Sequence, residues 1–205
     1  MKIKVFIQGP IDANNYLLMD EETNDAVLID CSDDFSEEIE KLGVNLKYIL
    51  ITHGHYDHIL GVDAFCQKFG VKAYISKDDM YQVEAAGKMM EMFSGIPAQT
   101  IDTTFEFVNN DDEFMLNNTK ITAISTPGHT KGGMCYLAED KLFSGDTMFR
   151  GTVGRSDLPG GDWRELLTSV RDKILLLPDN IQVFPGHGDM TTIEYERKYN
   201  EILNI

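Results

Sequence analysis

The placement of the five histidines constrains this chain more than any other feature. Three of them lie within six residues, at His53, His55 and His58, in the sequence THGHYDH at 52–58. The other two, His129 and His187, each follow a Pro-Gly pair. A lone histidine after a strand is usually a turn residue or a hydrogen-bonded polar group. Five histidines all confined to such segments indicate a metal site instead.

Each of these segments has the same form, in which an apolar stretch ends, a glycine follows and a metal-binding side chain comes next. The sequence FSGD at 143–146 repeats it with Asp146. Glycine permits the sharp turn that a strand end needs. We therefore expect four strand ends to direct His55, His129, Asp146 and His187 into one cavity. Imidazoles and carboxylates crowded there would be costly to desolvate with nothing to bind.

The number of candidate ligands predicts two metal ions. Seven side chains are available: His53, His55, Asp57, His58, His129, Asp146 and His187. That is more than one tetrahedral ion uses, and it fits two ions that share a carboxylate and a water-derived bridge. No cysteine neighbours the histidine segments, so the ligands are nitrogen and oxygen. Such a set suits zinc, and iron or manganese are alternatives.

Length, charge and composition indicate what general kind of protein this is. A length of 205 residues predicts a single domain over 1–205. The net charge of −16 opposes nucleic acid as a partner, because binding phosphates requires clustered Lys and Arg. We expect no membrane span, no secretory signal and a cytoplasmic protein whose three cysteines are free thiols. The oligomeric state stays open.

The hydrophobic pattern predicts an α+β fold. Short strands cluster with helices in two similar halves, which favours two sheets packed face to face with helices outside. Helices are expected over 35–42, from near 58 to before 70, over 78–93, after an N-terminal cap at Asp162, and over 191–202 behind a Thr-x-x-Glu box. A methionine-rich stretch of the third helix could line a substrate groove, although packing on the core is the favoured interpretation. Its members are Met80, Met89, Met90, Met92 and Phe93.

The motifs T-H-x-H-x-D-H, P-G-H-T, G-D and P-G-H resemble those of the metallo-β-lactamase-fold hydrolase superfamily, over about residues 12–190. The resemblance implies an αββα sandwich of two mixed β-sheets with outer helices and a dinuclear site at one edge. It implies that the first metal is held by His53, His55 and His129. It implies that the second is held by Asp57, His58 and His187, with Asp146 bridging the two.

Two further segments are most similar to the short branch of glyoxalase II-like enzymes, the hydroxyacylglutathione hydrolases. They are GDTMF at 145–149 and GRSDLPGGD at 154–162. Class B β-lactamases typically carry cysteine where Asp146 stands, which argues against a lactamase. Longer glyoxalase II enzymes bind glutathione through a C-terminal helical extension and a Lys/Tyr pair, whereas this chain offers Arg155 and Asp157. Arg155 either binds a substrate anion or pairs with a nearby acid.

The predicted activity is hydrolysis of a small-molecule acyl thioester, hydroxyacylglutathione-like, or of an activated ester by metal-activated hydroxide. Asp57, by the family's pattern, would also orient the hydroxide and so act in catalysis. A thiolate leaving group needs little protonation, because thiols have a pKa of about 8.5. The main alternative is a persulfide dioxygenase that uses mononuclear iron on the same scaffold. An RNA-processing nuclease is opposed by the charge, and a non-catalytic binding protein should have lost some of the ligands.

Overall fold

The computed structural model describes residues 1–95 and 97–203. The first half of the chain supplies a six-stranded sheet in sequence order. Its strands are β1 (Lys2–Gln8), β2 (Ala13–Met19), β3 (Asp25–Ile29), β4 (Asn45–Leu50), β5 (Lys72–Ile75) and β6 (Glu106–Phe107). The first three strands pair antiparallel, whereas β3 to β6 pair in parallel, so the sheet is mixed.

The second half supplies another six-stranded sheet, in the order β14-β13-β10-β9-β8-β7. These strands are β7 (Glu113–Leu116), β8 (Thr119–Ser125), β9 (Met134–Ala138), β10 (Lys141–Gly145), β13 (Gln182–Pro185) and β14 (Thr191–Thr192). Strands β10 and β13 are parallel and the other neighbours are antiparallel. A small hairpin of β11 (Met148–Phe149) and β12 (Thr152–Val153) leaves the end of β10.

Helices cover the outer face of each sheet. They are α1 (Ser36–Glu40), α2 (Tyr56–Ile59), α3 (Val62–Phe69), α4 (Met80–Ser94), α5 (Trp163–Asp172) and α6 (Ile193–Tyr199). Single 3₁₀ turns lie at Lys77–Asp79, Ile174–Leu176 and Glu201–Leu203. The helices α1 to α4 share a core cluster with the first sheet, and α5 and α6 share one with the second.

Strand β3 shows how the layers form, because its residues are buried on both faces. Val27 and Ile29 pack in the cluster between the two sheets. Ala26 and Leu28, which point the other way, pack against the helices. A strand buried on both faces is a continuous apolar run, as β3 is. The predicted fold of two mixed sheets with outer helices is therefore confirmed.

Several predicted helices have different bounds, including α4, which spans Met80–Ser94 rather than 78–93. The helix expected from 58 to 70 is divided into α2 and α3 at Gly61, because this residue packs against the 31–33 segment. Its amide donates a hydrogen bond to the Cys31 carbonyl at 2.8 Å, and a Cβ added there would lie 2.0 Å from the Asp33 carbonyl oxygen. The first helix spans Ser36–Glu40 rather than 35–42.

The last helix begins later than expected, because Thr191 and Thr192 extend the second sheet before it. The hydroxyl of Thr192 caps the helix by accepting a hydrogen bond from the Tyr195 amide. Thr191 instead donates to the buried Glu196 carboxylate. The cap predicted at Asp162 is confirmed, since its side chain accepts bonds from the first amides of α5.

Over the described residues, none of the helices has both the length and the apolar character needed to cross a membrane. Cys31, Cys66 and Cys135 are free, as expected.

Candidate metal centre

The histidine segments leave the two sheets at one shared edge. His53 and His55 follow β4, and His129 follows β8. Asp146 comes directly after β10, and His187 is the second residue after β13; these two strands are parallel neighbours. An open cavity of about 500 Å³ lies over this edge, and its lining includes His55, Asp57, His129, Asp146 and His187.

Three histidines form a first candidate ligand group, called here the His-only group: His53, His55 and His129. One nitrogen of each lies within 4.8 Å of the others, and all three residues are buried. The Nδ1 atom of His55 is 3.1 Å from His53 Nε2 and 2.9 Å from His129 Nε2. Three nitrogens so arranged could hold one metal ion.

A second group, called the mixed group, contains Asp57, His58 and His187. Helix α2 supplies the first two side chains, and the turn after β13 supplies the third. Asp57 Oδ2 lies 3.2 Å from His187 Nε2 and 3.5 Å from His58 Nε2. All five histidines of the chain thus belong to one of the two groups.

Asp146 lies between the two groups. Its Oδ2 atom is 3.5 Å from His129 Nε2 and 3.8 Å from His187 Nε2, one in each group. Its Oδ1 atom is 3.5 Å from His58 Nε2. A carboxylate in this position is suited to being shared by two ions.

Unpartnered polar atoms test whether this cluster fits metal ions. Within the described ranges, three buried side-chain atoms have no hydrogen-bond partner: His55 Nε2, His58 Nε2 and Asp146 Oδ1. Leaving buried polar atoms without partners is costly, and native proteins rarely do so. His58 Nε2 and Asp146 Oδ1 face each other at 3.5 Å, which is long for a hydrogen bond. A divalent cation beside them would satisfy both, so the donor set fits a metal.

Hydrogen bonds on the far side of three rings assign their tautomers. His58 Nδ1 donates to Asp30 at 2.8 Å, and His129 Nδ1 donates to the Arg155 carbonyl at 2.7 Å. His53 Nδ1 lies 3.1 Å from the Thr52 hydroxyl, which itself donates to Asp30. In each ring the Nε2 lone pair is left free and directed into the cluster, the arrangement found around metal-bound histidines.

Burial and neighbouring charges set the protonation of the cluster. Burial, together with the adjacent imidazoles, lowers the pKa of His53 well below its usual value and that of His55 to about 4. Burial also opposes a charge on His58, but Asp30 and the other nearby carboxylates raise its pKa well above the usual value. Neutral imidazoles are the form that binds metal, so a metal at the mixed group would replace the proton that the carboxylates hold on His58.

The two carboxyl groups of the cluster are ionised. Burial acts to raise the pKa of Asp57 and of Asp146, but the nearby histidines, His58 foremost, together outweigh it and both pKa values are lowered. The two carboxylates would offset part of the charge of a pair of divalent cations.

Two buried carboxylates that the sequence analysis missed support the ligand segments. Asp30 accepts bonds from the Thr52 amide and from His58, both at 2.8 Å. Asp79 accepts bonds from the Gly54 amide at 2.9 Å, the Thr130 hydroxyl at 2.7 Å and the Gly132 amide at 2.7 Å. Asp30 follows an apolar strand, as Asp146 does, but it lacks the preceding glycine that identified Asp146. Asp79 follows no such pattern.

The turn that carries His187 is held from β2. The Asn14 side-chain amide donates to the carbonyls of Pro185 at 3.0 Å and Gly188 at 2.9 Å. The Tyr16 hydroxyl donates to the Pro185 carbonyl at 2.6 Å. These contacts fix the backbone on both sides of His187 and do not touch its ring.

Arg155 lines the cavity, but its guanidinium is engaged by Asp157 through two hydrogen bonds of 2.7 and 2.8 Å. This is the pairing with a nearby acid that the sequence left open, and a role in substrate binding stays a prediction.

The apolar side chains of the methionine-rich helix α4 do not all have the same surroundings. Met80 and Met90 pack on the core, Phe93 lines the cavity, and Met89 does both. Met92 is 76% exposed and lies outside both.

Comparison with known proteins agrees with this architecture. The hydroxyacylglutathione hydrolase GloC of Haemophilus influenzae is 34% identical, over 100% of this chain and 99% of the relative. The BLEG-1 B3 metallo-beta-lactamase, known from a crystal structure, is 33% identical in sequence, with a TM-score of 0.91 and 100% of both chains covered. TTHA1623, solved in a di-iron-bound form, is 29% identical with a TM-score of 0.87, covering 98% of this chain and 100% of that one.

The family comparison covers most of the chain. The model of the Metallo-beta-lactamase superfamily matches residues 9–187, a range that contains all seven candidate ligands and every strand of the two sheets except β1 and β14. The protein belongs to the metallo-beta-lactamase superfamily.

Proposed function

We propose that the protein is a dinuclear-metal hydrolase that cleaves a small acyl thioester, or an activated ester, with metal-activated water. The observation that carries this proposal is the convergence of five histidines and two carboxylates on one cavity, with unpartnered buried atoms among them. The full-length similarity to a hydroxyacylglutathione hydrolase supports a thioester as the substrate.

The His-only group would hold one metal ion and the mixed group the other, with Asp146 shared. Bound divalent ions, zinc first among the candidates, lower the pKa of water toward neutrality and polarise a substrate carbonyl. The hydrogen bonds to Asp30, Thr52 and the Arg155 carbonyl keep three imidazoles in the tautomer that presents Nε2. The chain's own contribution is therefore a rigid donor set in the correct protonation state.

Asp57 has a second role in this proposal. Its pKa is lowered, so at neutral pH its carboxylate can accept a hydrogen bond from the attacking water and orient it. All five histidines are committed to the two groups, so none is left to protonate a leaving group. A thiolate, with a pKa of about 8.5, departs without such help, whereas an amine does not.

The second group of ligands also bears on the main alternative, a persulfide dioxygenase with one iron. A mononuclear enzyme has no need of a second complete set of donors, yet here the mixed group is assembled beside the first. Iron itself remains compatible with the fold, because TTHA1623 was solved in a di-iron-bound form.

The test measures metal content and substrate range together. We expect about two metal ions per chain and turnover of S-lactoylglutathione or simpler thioesters. Asp57→Asn should lower kcat by about 10²-fold or more while the metal is retained at the His-only group. One iron per chain with oxygen uptake on glutathione persulfide would establish the alternative. Turnover of a β-lactam with all thioesters ignored would contradict the thioester assignment.

A further inference from the structure

We propose that the substrate carries an apolar acyl group, which binds in the part of the cavity beside the metal ligands. This inference rests on the proposed function, since it names the arm of the thioester that the protein recognises. Six residues other than the ligands form the apolar lining: Ile11, Tyr56, Met89, Phe93, Phe149 and Leu158. The cavity volume of about 500 Å³ is in the range of small-molecule sites.

The lining comes from separate parts of the chain, and two of its members, Tyr56 and Met89, also pack on the core. Ile11 lies in the turn between β1 and β2, Phe149 in the β11–β12 hairpin and Leu158 in the loop before α5. Ile11 and Phe93 are each 50% exposed. Apolar side chains from several segments, left open to water around one charged cluster, are typical of a ligand site.

The charges of the cavity oppose an anionic arm in the same place. Among the described residues that line the cavity, Arg155 is the single basic side chain of the Lys or Arg type. Its guanidinium already donates two hydrogen bonds to the Asp157 carboxylate. That pair carries no net charge. A thiol carrier with several carboxylates or phosphates would find no unpaired cation in this lining. The apolar surface therefore fits the acyl arm, and the thiol arm extends toward the opening.

Hydrogen bonds beneath the lining hold its shape before a ligand binds. The Pro159 carbonyl accepts bonds from the Tyr81 hydroxyl at 3.1 Å and the Gln82 amide at 2.7 Å, which fixes the loop carrying Leu158. A Cβ at Gly160, where φ is +90°, would lie 1.6 Å from the Tyr81 hydroxyl, so this position requires glycine.

The opposite wall is also fixed. Buried Glu196 of α6 accepts bonds of 3.0 and 3.1 Å from the Gly151 amide, inside the hairpin that carries Phe149. A preformed apolar surface binds an acyl chain without first being ordered, which favours affinity.

The experiment varies one arm of the thioester at a time in the metal-loaded protein. Acetyl, butanoyl and hexanoyl thioesters of N-acetylcysteamine form the acyl series, and acetyl thioesters of ethanethiol, butanethiol and hexanethiol form the thiol series. We expect kcat/KM to rise by about fourfold for each methylene added to the acyl arm, as burial of a methylene predicts. The thiol series should change much less. A flat acyl series, or a rise confined to the thiol series, would overturn the inference.

A binding measurement separates this inference from the proposed hydrolase activity. Calorimetry compares acetate, butanoate and hexanoate, the products of the acyl series. Hexanoate should bind at least about tenfold more tightly than acetate, whether or not any thioester is hydrolysed. If hexanoate binds no more tightly than acetate, the apolar subsite is wrong. If hexanoate binds more tightly but no thioester is hydrolysed, the proposed function fails and the subsite stands.

Two methionines of α4 provide a matched pair of variants. Met89→Ser changes the lining, and Met92→Ser changes a residue that is 76% exposed and lies outside it. Met89→Ser should lower the hexanoyl-to-acetyl ratio of kcat/KM by about threefold or more, whereas Met92→Ser leaves it unchanged. Phe93→Ser, at a half-exposed position, gives the same test if the first variant folds poorly. Equal ratios in all three variants would contradict the proposal.

Discussion

The two ligand groups differ in how far water reaches them. The His-only group is enclosed, since each of its residues is at most 7% exposed. In the mixed group the His187 side chain is 25% exposed. The first group is made of imidazoles alone, whereas the second includes a carboxylate. Both groups line the cavity, through His55 and His129 in one and Asp57 and His187 in the other, but His187 is the ligand most open to water.

The groups also differ in what holds them. A single buried carboxylate, Asp79, joins the two backbone segments that carry the His-only ligands. The turn that carries His187 is held through its backbone by Asn14 and Tyr16, and the His187 Nε2 atom lies 3.2 Å from Asp57 of the same group. A firmly held, enclosed set of donors exchanges a metal more slowly than an open one. We therefore predict that a metal at the His-only group is retained and that a metal at the mixed group exchanges more readily.

The largest effect is expected on removal of the metals. A strong chelator should abolish turnover and release metal in two phases, because the mixed group includes the partly exposed His187, whereas each residue of the His-only group is at most 7% exposed. Released metal is followed with a chromogenic chelator while activity is sampled. Turnover that persists in metal-free protein would contradict the proposed chemistry. A single phase that releases both ions together would contradict the asymmetry of the groups.

Asp146→Ala should affect both groups at once, because this carboxylate lies between them. Loss of a shared ligand removes several kcal/mol of transition-state stabilisation, so we expect kcat/KM to fall by about 10³-fold. Metal content should also drop from about two ions per chain to one or fewer. Asp189→Ala is the control, since it removes the same charge from an exposed position close to His187. Two ions retained in the Asp146 variant would show that it does not bridge.

Periodicity and glycine-containing strand ends were enough to predict the two sheets and the convergence of the histidine segments. They could do so because strand alternation and backbone turns are local properties. Helix bounds were less accurate where a tertiary contact decided them. The division at Gly61 depends on its packing against Asp33, a contact that no local pattern contains.

The same distinction applies to the site. The seven candidate ligands could be identified because each follows a recognisable motif, although their assignment to two metals stays a prediction. Asp79 could not, since its role depends on three partners at sequence separations of 25 to 53 residues. Arg155 was singled out for its side chain, whereas the structure also uses its carbonyl, on His129. Backbone groups carry no sequence signal, so such contacts appear only in the fold.

Asp79→Asn sharpens the comparison by weakening the support of the His-only group alone. One Asp79 oxygen accepts from the Gly54 amide and the other from the Gly132 amide. Whichever way an asparagine is turned, its NH₂ group faces one of these donors. We expect metal affinity at the His-only group to fall by about 10- to 100-fold, which speeds the slow phase of release. The control is Asp78→Asn, an exposed neighbour. Acceleration of the fast phase instead would contradict the assignment.

Tyr16→Phe is expected to have the smallest effect, and on the other group. Burial raises the pKa of Tyr16, so its hydroxyl stays protonated and donates to the Pro185 carbonyl. The variant loses this bond, but Asn14 still donates to the same carbonyl, so the loss in stability should be about 1 kcal/mol. The fast phase of metal release should quicken by a few-fold and the slow phase should not change. Thermal unfolding and the two release rates are compared with Tyr199→Phe, a change at a residue that is 53% exposed. An effect on the slow phase would contradict this expectation and would mean that the His-only group and the mixed group are coupled through β2.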